Sequence, residues 1–198
     1  MRIITAEQRS PEWFAVRLGV PSASQFGRIV TSTGKRSTQA DGYLNKLVAE
    51  ILTGKSDQQE PNEAMARGTE LEPEARAYYE LIGGTVEEVG FCLHEDGFGC
   101  SPDGLVGSQG LLEIKCPLAH THVEYLRENA LPGLYVPQVQ GQLLVTGREW
   151  CDFLSYHPDM KPLLIRVERD EKFIQTLHEA LLEIVSEIKK CVQQLRRE

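Results

Sequence analysis

The chain has 198 residues, of which 41% are hydrophobic and 25% charged, and its formal net charge at pH 7 is −8. This balance is ordinary for a soluble globular protein. No apolar run reaches the roughly 20 residues that a membrane-spanning helix needs, and the N-terminus lacks the apolar core of a signal peptide. We therefore expect a single domain over residues 1–198 that works in the cytoplasm.

The negative charge counts against a nucleic-acid partner, because DNA-binding proteins normally present a basic face to the phosphates. Any such face must be local, and its candidate residues all lie in the N-terminal half: Arg17, Arg28, Lys35, Arg36, Arg67 and Arg76. Divalent ions bound at an acidic site would offset part of the negative charge.

The five cysteines are odd in number and contain no Cys-x-x-Cys pair. This pattern excludes a disulfide framework, a zinc ribbon and an iron–sulfur cluster held by closely spaced ligands. The five histidines show no metal-ligand spacing beyond His120 and His122, which point to different sides of a helix. We therefore predict no zinc site, and histidines that lie on solvated loops or helix faces.

Capping and stop residues predict four helices in the first half of the chain, over residues 10–19, 22–30, 41–54 and 63–81. Ser10 and Asp41 are the predicted N-caps of the first and third helices, and Pro73 predicts a break or kink that aims Glu72. Strands are predicted over 85–92, 97–101, 110–116, 150–156 and 163–168, and helices over 120–129, 136–145 and 170–195. This order predicts an α/β fold with a central mixed β-sheet flanked by helices.

Three charged residues stand beside or within the apolar strand predicted over 110–116. Glu113 and Lys115 bracket one apolar residue, so they point to the same face of the strand. Asp103 lies in a Pro-Asp-Gly turn, and Gly107 and Gly110 predict a hairpin that brings it back beside Glu113. Two carboxylates and an ammonium around one point favour a Mg²⁺ site for phosphodiester hydrolysis. The alternative is a structural Glu–Lys pair at a strand end.

Several short motifs together resemble one known family. In chain order, the chain resembles the lambda exonuclease family of phage-type recombination nucleases, within the PD-(D/E)xK superfamily, at residues 10–13, 17–24, 67–76, 100–105, 112–117, 135–140 and 167–172. The resemblance covers nearly the whole chain, and its most specific part is the pair of motifs around Asp103 and Glu113. It implies a single nuclease domain with the restriction-endonuclease-like core of that superfamily.

The resemblance assigns roles to the acidic cluster. It implies that Asp103, Glu113 and the Ile114 carbonyl ligate two divalent ions, Mg²⁺ in the first instance with Mn²⁺ as the alternative. Glu72 corresponds to an acidic helix residue near the metals, and a third carboxylate is what a two-ion site needs. Lys115 would position the attacking water.

Gln138 corresponds to a family glutamine at the active site, where its amide would hold a water or a phosphate oxygen. The alternative is a polar residue on the helix surface. Gln140 and Gln142 lie close in sequence and are expected to take no part in the site.

The resemblance also implies a pocket for a 5′-terminal phosphate, formed by Arg17, Ser24 and Ser101. A guanidinium pairs with two phosphate oxygens, and hydroxyls add further donors. Such a pocket would hold the end of a strand and would therefore set the direction of digestion.

The function implied is a Mg²⁺-dependent 5′-to-3′ exodeoxyribonuclease that acts on linear double-stranded DNA with 5′-phosphorylated ends. It would leave 3′ single-stranded overhangs for recombination by single-strand annealing. The family implies a homotrimeric ring around the DNA and a single-strand annealing protein as partner. Two alternatives remain: a structure-specific or restriction-like endonuclease on the same core, and a non-catalytic DNA-binding module.

Overall fold

The computed structural model describes residues 1–56 and 63–196. Its α-helices are α1 (Pro11–Arg17), α2 (Ala40–Thr53), α3 (Glu63–Gly83), α4 (Ala119–Glu128), α5 (Val136–Thr146) and α6 (Glu171–Leu195). Its strands are β1 (Arg2–Ile4), β2 (Val86–Glu87), β3 (Phe91–Leu93), β4 (Gly99–Cys100), β5 (Gly104–Val106), β6 (Gly110–Lys115), β7 (Trp150–Ser155) and β8 (Leu163–Glu168). Short 3₁₀ segments cover Ala23–Arg28 and Gly133–Tyr135. Within the described ranges, none of the helices combines the length and apolarity that crossing a bilayer requires.

The described strands form two sheets. A five-stranded sheet has the order β2-β5-β6-β7-β8, and a three-stranded antiparallel sheet has the order β1-β3-β4. In the larger sheet β6 and β7 run parallel, whereas its other neighbours are antiparallel. Because helices cover this mixed sheet, the predicted α/β class is confirmed.

Strand β6 is buried on both faces, which explains its nearly continuous apolar sequence. Leu112 and Ile114 point to one face, where they pack in a cluster that includes Tyr79 of α3. Leu111 points to the other face and belongs to the larger cluster built around α2, α5 and α6. Glu113 alternates with Ile114 and therefore shares the face of Leu111, so its carboxylate projects toward helix-covered apolar surroundings.

Helix α6 carries the clearest amphipathic pattern and follows its prediction. Asp170 caps it, since its Oδ1 accepts a hydrogen bond of 3.0 Å from the Phe173 amide. Its buried positions include Leu177 and Leu181, both fully inaccessible to solvent. The helix packs against α2 and α5 and closes the larger core.

Three local predictions are wrong in whole or in part. Asp41 does not cap α2, because its side chain turns to Arg36 at 2.7 Å and lies in the first helical turn. Helix α3 continues through Pro73, so the break that was one of the two predicted outcomes is absent, and the downstream half is held on the sheet by the buried Tyr79. The strand predicted over 85–92 is divided between β2 and β3, which belong to different sheets.

Candidate active site

The hairpin formed by β5 and β6 brings Asp103 beside Glu113. The last paired position is Gly104 opposite Leu112, so Asp103 lies one residue further, opposite Glu113. The Asp103 amide donates to the Leu112 carbonyl at 3.1 Å, and the Ile114 amide donates to Asp103 Oδ2 at 2.6 Å. The juxtaposition predicted from the Pro-Asp-Gly turn and the following glycines is confirmed.

Glu113 is 2% exposed, and its carboxylate accepts hydrogen bonds from three side chains. Lys115 Nζ and Gln138 Nε2 both donate to Oε1, the amide at 2.6 Å. Gln142 Nε2 donates to Oε2 at 2.6 Å. The Glu–Lys pair is therefore present, but it is part of a larger polar network that holds a buried negative charge with charge-assisted bonds.

The expectation that Gln142 takes no part in the site is wrong. Gln138 and Gln142 are four residues apart on α5, so they lie on the same face and grip the Glu113 carboxylate together. This spacing was visible in the sequence. Gln140 points elsewhere, donating to the Glu168 carbonyl at 2.9 Å and accepting from the Asp170 amide at 2.9 Å. Gln140 thus links α5 to the segment that leads into α6.

Glu72 is linked to the Asp103 backbone indirectly, through Arg76. Its carboxylate contacts Arg9 at 2.5 Å and Arg76 at 2.9 Å. Arg76 also donates to the Asp103 carbonyl at 3.2 Å and pairs with Glu88 at 2.8 Å. Arg76 therefore ties α3 to the β5–β6 hairpin. Because it is already paired with two carboxylates, it is a poor candidate for the phosphate contacts that its charge suggested.

The carboxylates of Asp103 and Glu113 repel each other. Burial raises the pKa of Asp103 well above its ordinary value of 3.8, and the nearby charge of Glu113 raises it further. Burial acts to lower the pKa of Lys115, but the charges of Glu113 and Asp103 outweigh it, so this pKa is raised above its ordinary 10.5. The ammonium thus stays charged beside carboxylates that repel each other.

The donor set fits a hard divalent cation. Asp103 Oδ1 accepts no hydrogen bond from any described residue, and Glu113 stands opposite Asp103 across the hairpin. Gln142 Oε1 is buried and likewise has no hydrogen-bond partner within the described ranges. Mg²⁺ and Mn²⁺ prefer oxygen ligands, and a cation here would relieve the repulsion between the carboxylates.

Trp13 joins two of the three residues predicted to bind a phosphate. The Arg17 guanidinium lies 3.7 Å from the centre of the Trp13 ring. The indole Nε1 donates to Ser101 Oγ at 2.9 Å, and that hydroxyl donates to the Gly90 carbonyl at 2.6 Å. Trp13 is thus a buried residue and also a platform on which Arg17 and Ser101 meet. The sequence offered no signal for this role.

Ser24 is exposed, and among the described residues it makes no hydrogen bond with Arg17 or Ser101. It belongs to the 3₁₀ segment Ala23–Arg28, and the preceding residue Ser22 forms a bridge with Gly99 at the start of β4. Ser22 Oγ, rather than that of Ser24, accepts a hydrogen bond of 3.3 Å from Arg17. The structure therefore links Arg17 to Ser101 through Trp13 and does not link Ser24 to either of them by a hydrogen bond.

Arg17 has no carboxylate partner among the described residues. Burial lowers the pKa of its guanidinium to about 10, which still leaves it charged at neutral pH. A half-buried cation without a counter-ion is costly, and a phosphate that bound here would remove this cost.

The predictions made for the histidines are partly wrong. His122 is fully buried, and its ring nitrogens contact Ser155 Oγ at 2.8 Å and the Lys161 carbonyl at 3.0 Å. His94 and His178, which are far apart in sequence, come together around one carboxylate. Ligand spacing along the chain could not reveal this cluster, because only the tertiary fold creates it.

Comparisons with known proteins identify the family. A model of the YqaJ-like viral recombinase domain matches residues 12–149. Two crystal structures of LHK-Exo, an alkaline exonuclease from Laribacter hongkongensis, one of them in complex with dAMP, have TM-scores of 0.85. They are 39% and 40% identical to this chain, and each match covers 94% of this chain and 96% of the other.

A phage-related exonuclease from Haemophilus somnus 129PT is more distant. Its TM-score is 0.71 at 15% identity, over 89% of this chain and 96% of that one, and this likeness shows the fold alone. Among proteins of curated function no significant match was found. The family model covers most of the chain, and LHK-Exo matches it nearly end to end. This chain therefore belongs to the YqaJ-like viral recombinase family, the lambda-exonuclease-like group that its sequence motifs resemble.

Proposed function

We propose that this protein is a Mg²⁺-dependent exodeoxyribonuclease that digests one strand of linear duplex DNA from a 5′-phosphorylated end. Family membership supports a nuclease role. The single observation that carries the proposal is the placement of Asp103 opposite Glu113, with the Lys115 ammonium on the same face. The two alternatives, an endonuclease on the same core and a DNA-binding module, are outcomes of the test below.

The proposed metal ligands are Asp103, Glu113 and the Ile114 carbonyl, with Glu72 as the third carboxylate. Bound divalent ions would supply Lewis-acid stabilisation of the reacting phosphate and would activate water at neutral pH. Phosphate-ester hydrolysis is among the slowest uncatalysed reactions, so the site must lower the barrier by roughly 20 kcal/mol or more. Hydrogen bonds from the protein alone are too weak for this, which is why the carboxylate cluster is central.

The chain's own donors arrange the reaction. We propose that Lys115 orients the attacking water by hydrogen bonding and compensates negative charge on the phosphate. Its Nζ already lies against Glu113 on the same strand face. Gln138 and Gln142 fix the Glu113 carboxylate from the α5 side. With its rotamer held by three donors, Glu113 needs little reorganisation when the charge develops.

The direction of digestion would be set by the pocket formed by Arg17 and Ser101. Arg17 carries a charge with no carboxylate partner within the described ranges, and Ser101 and Arg17 meet on the same indole. We propose that they hold the 5′-terminal phosphate, with Ser24 adding a donor at the rim. A strand anchored at its 5′ phosphate presents the next phosphodiester to the carboxylates, so digestion would proceed from 5′ to 3′ and leave a 3′ overhang.

We further propose a single nuclease domain over residues 1–198 that assembles as a ring of three copies around DNA and passes its product to a single-strand annealing protein. Enclosure would retain DNA without a strongly basic surface, which suits the net charge of −8. Leu81 and Ile82, at the end of α3, are 85% and 55% exposed, and such apolar side chains support contact between copies.

The test is Mg²⁺-dependent nucleotide release from linear duplex labelled at one terminus or the other. We expect the 5′ label to be freed first, removal of the 5′ phosphate to slow release, and closed circles to survive. Arg17→Ala should abolish the preference for the 5′ phosphate, whereas Arg28→Ala, a matched change at an exposed arginine nearby, should retain it. Cutting of circles would establish the endonuclease, and DNA binding without Mg²⁺-dependent release would establish the binding module.

A further inference from the structure

A second group of potential metal ligands lies outside the carboxylate site. His94 and Asp96 stand in the turn between β3 and β4, and His178 projects from α6. Asp96 Oδ2 lies 2.8 Å from His178 Nε2 and 3.2 Å from His94 Nδ1. The three ligand atoms all lie within 4.8 Å of one another, and each residue is partly accessible to solvent.

The turn that carries two of these residues is tightly built. The His94 amide donates to the Phe98 carbonyl at 2.8 Å, and the Gly97 amide donates to the His94 carbonyl at 3.1 Å. Gly97 has a φ of +92°, a conformation that glycine adopts without strain. The His94 ring stacks on the fully buried Phe98 at 4.6 Å between centroids and 7° between planes. The imidazole is therefore held in one orientation before any ligand binds.

The third residue is held equally well. His178 lies beside Leu177 on α6, and Leu177 has no exposed surface. The His178 ring packs edge-on against the Phe98 ring, with 5.8 Å between the ring centroids. One buried phenylalanine thus supports both imidazoles, so the spacing of the two nitrogens is set by core packing.

We propose that His94, Asp96 and His178 form a binding site for Zn²⁺ or a similar transition-metal ion. Two imidazole nitrogens and a carboxylate oxygen are the ligand set of many three-residue zinc sites, in which water takes the fourth position. In a tetrahedral site with bonds of about 2.0–2.1 Å, neighbouring ligand atoms lie about 3.3 Å apart. The two contacts of Asp96 Oδ2, at 2.8 and 3.2 Å, already approach this separation.

The chemistry of the ligands separates this site from the proposed nuclease site. Mg²⁺ prefers oxygen ligands and binds imidazole weakly, so it would occupy the Asp103 and Glu113 oxygens and leave the histidines to a softer ion. The histidine site also has a distinct structural effect. It would link the β3–β4 turn to α6, and the same hairpin continues directly into Ser101 and Asp103. Zinc would therefore stabilise the hairpin that leads into the nuclease site.

The experiment uses full-length protein stripped with a chelator and then titrated with Zn²⁺ by calorimetry in excess Mg²⁺. We expect one zinc to bind per chain, and His178→Gln and Asp96→Asn to weaken binding by about 100-fold or more. His120→Gln, a change at an exposed histidine, and Glu113→Gln, a change at the other site, should both retain the zinc. Loss of zinc in Glu113→Gln with retention in His178→Gln would overturn the proposal.

Two further measurements do not depend on how well the ligand variants fold. Zinc should raise the melting temperature of wild type in proportion to the logarithm of its concentration, as expected for an ion that binds only the folded state. X-ray absorption at the zinc edge of wild type should show nitrogen and oxygen at about 2.0–2.1 Å with imidazole scattering. A shell containing sulfur would assign the zinc to cysteines, and the proposal would be wrong.

Discussion

Two buried carboxylates on adjacent strands of the same sheet differ in how their negative charge is balanced by neighbouring groups. Asp152 on β7 is 3% exposed and Glu113 on β6 is 2% exposed, and they face opposite sides of the sheet. Asp152 accepts from Tyr79 Oη at 2.7 Å and pairs with Arg166 through two hydrogen bonds of 2.9 Å. Arg166 in turn stacks on Trp150 at 3.7 Å. The negative charge on this side is matched by one arginine and one hydroxyl.

On the other side, negative charge accumulates. Asp103 stands opposite Glu113 with only the Lys115 ammonium and neutral amides as donors to their side chains among the described residues, and its pKa is raised by burial and then by Glu113. A carboxylate neutralised within its own chain stabilises the fold, whereas carboxylates left in excess prepare a place for a cation. The two sides of the sheet therefore predict different outcomes for similar substitutions.

The largest effect is expected for Asp103→Asn. Loss of this proposed metal ligand should lower nuclease activity by about 10³-fold, equivalent to roughly 4 kcal/mol of transition-state stabilisation. Stability should not fall, because the substitution removes a charge that is repelled by Glu113. Activity on linear duplex and chemical unfolding in the presence of chelator measure the two quantities, and a loss of stability equal to that of an ordinary core defect would contradict this account.

The same variant has a predicted pH dependence. Because the pKa of Asp103 is raised above 3.8 in the folded state, the folded protein keeps this proton to higher pH than the unfolded chain does. Without divalent ions, wild type should therefore lose stability as the pH rises above about 4. Asp103→Asn should lose less over the same range, as measured by unfolding in urea at a series of pH values.

Lys115→Ala should have the next largest effect. Its activity should fall by about 100-fold or more, since a positioned proton donor or water-orienting group contributes at that level. Mg²⁺ affinity should change far less than the turnover rate, because the carboxylates remain. Single-turnover kinetics over a range of Mg²⁺ concentrations separates the two. Equal rates for wild type and variant would exclude the role of Lys115 in positioning water.

Asp152→Asn is the matched change on the other side of the sheet. It should lower the free energy of unfolding by about 2 kcal/mol, because Tyr79 and Arg166 lose a charged acceptor. The half exposure of Arg166 keeps this cost below that of a fully buried ion pair. Activity per folded molecule should be unchanged. An Asp152→Asn variant that remained fully stable but lost activity would contradict the conclusion that Asp152 serves stability and not the reaction.

The smallest expected effect on activity is at Gln142, and the nearby Gln140 provides its control. Gln142→Leu removes a donor to Glu113 and should lower activity by about tenfold, as changes around metal ligands commonly do. Gln140→Leu, its control on the opposite side of α5, should instead cost about 1 kcal/mol of stability, because it loses contacts to the start of α6. Both are measured by activity per folded molecule and by thermal unfolding.

Much of the fold was predictable because its signals are local. The apolar stripe and Asp170 cap of α6 and the short apolar run of β6 are signals carried by neighbouring residues. The hairpin was also local, since a Pro-Asp-Gly turn and two glycines act within a dozen residues. The prediction at Asp41 was wrong because its side chain pairs with Arg36, five residues earlier, instead of capping the helix. At Pro73 the helix stays unbroken where α3 packs on the sheet.

The candidate site was predictable only in part. The sequence named Glu113 and Lys115 because charges within an apolar strand are unusual, and it named Asp103 because a turn and two glycines bring it back beside them. It missed Gln142, although its spacing from Gln138 was available, and it missed the link from Arg76 to Asp103. It also had no means of finding the platform at Trp13, since an indole that packs in the core and one that supports a guanidinium look the same in sequence.

By itself, the sequence determined the alternation of strands and helices, the hairpin and the family motifs, because these depend on residues close together in the chain. Only the tertiary structure decided which polar groups meet across long separations. It joined Glu113 to α5, Arg17 to Ser101 through Trp13, and His94 to His178. The physical reason is that hydrogen bonds and charges act over a few ångströms in space, whatever the distance along the chain.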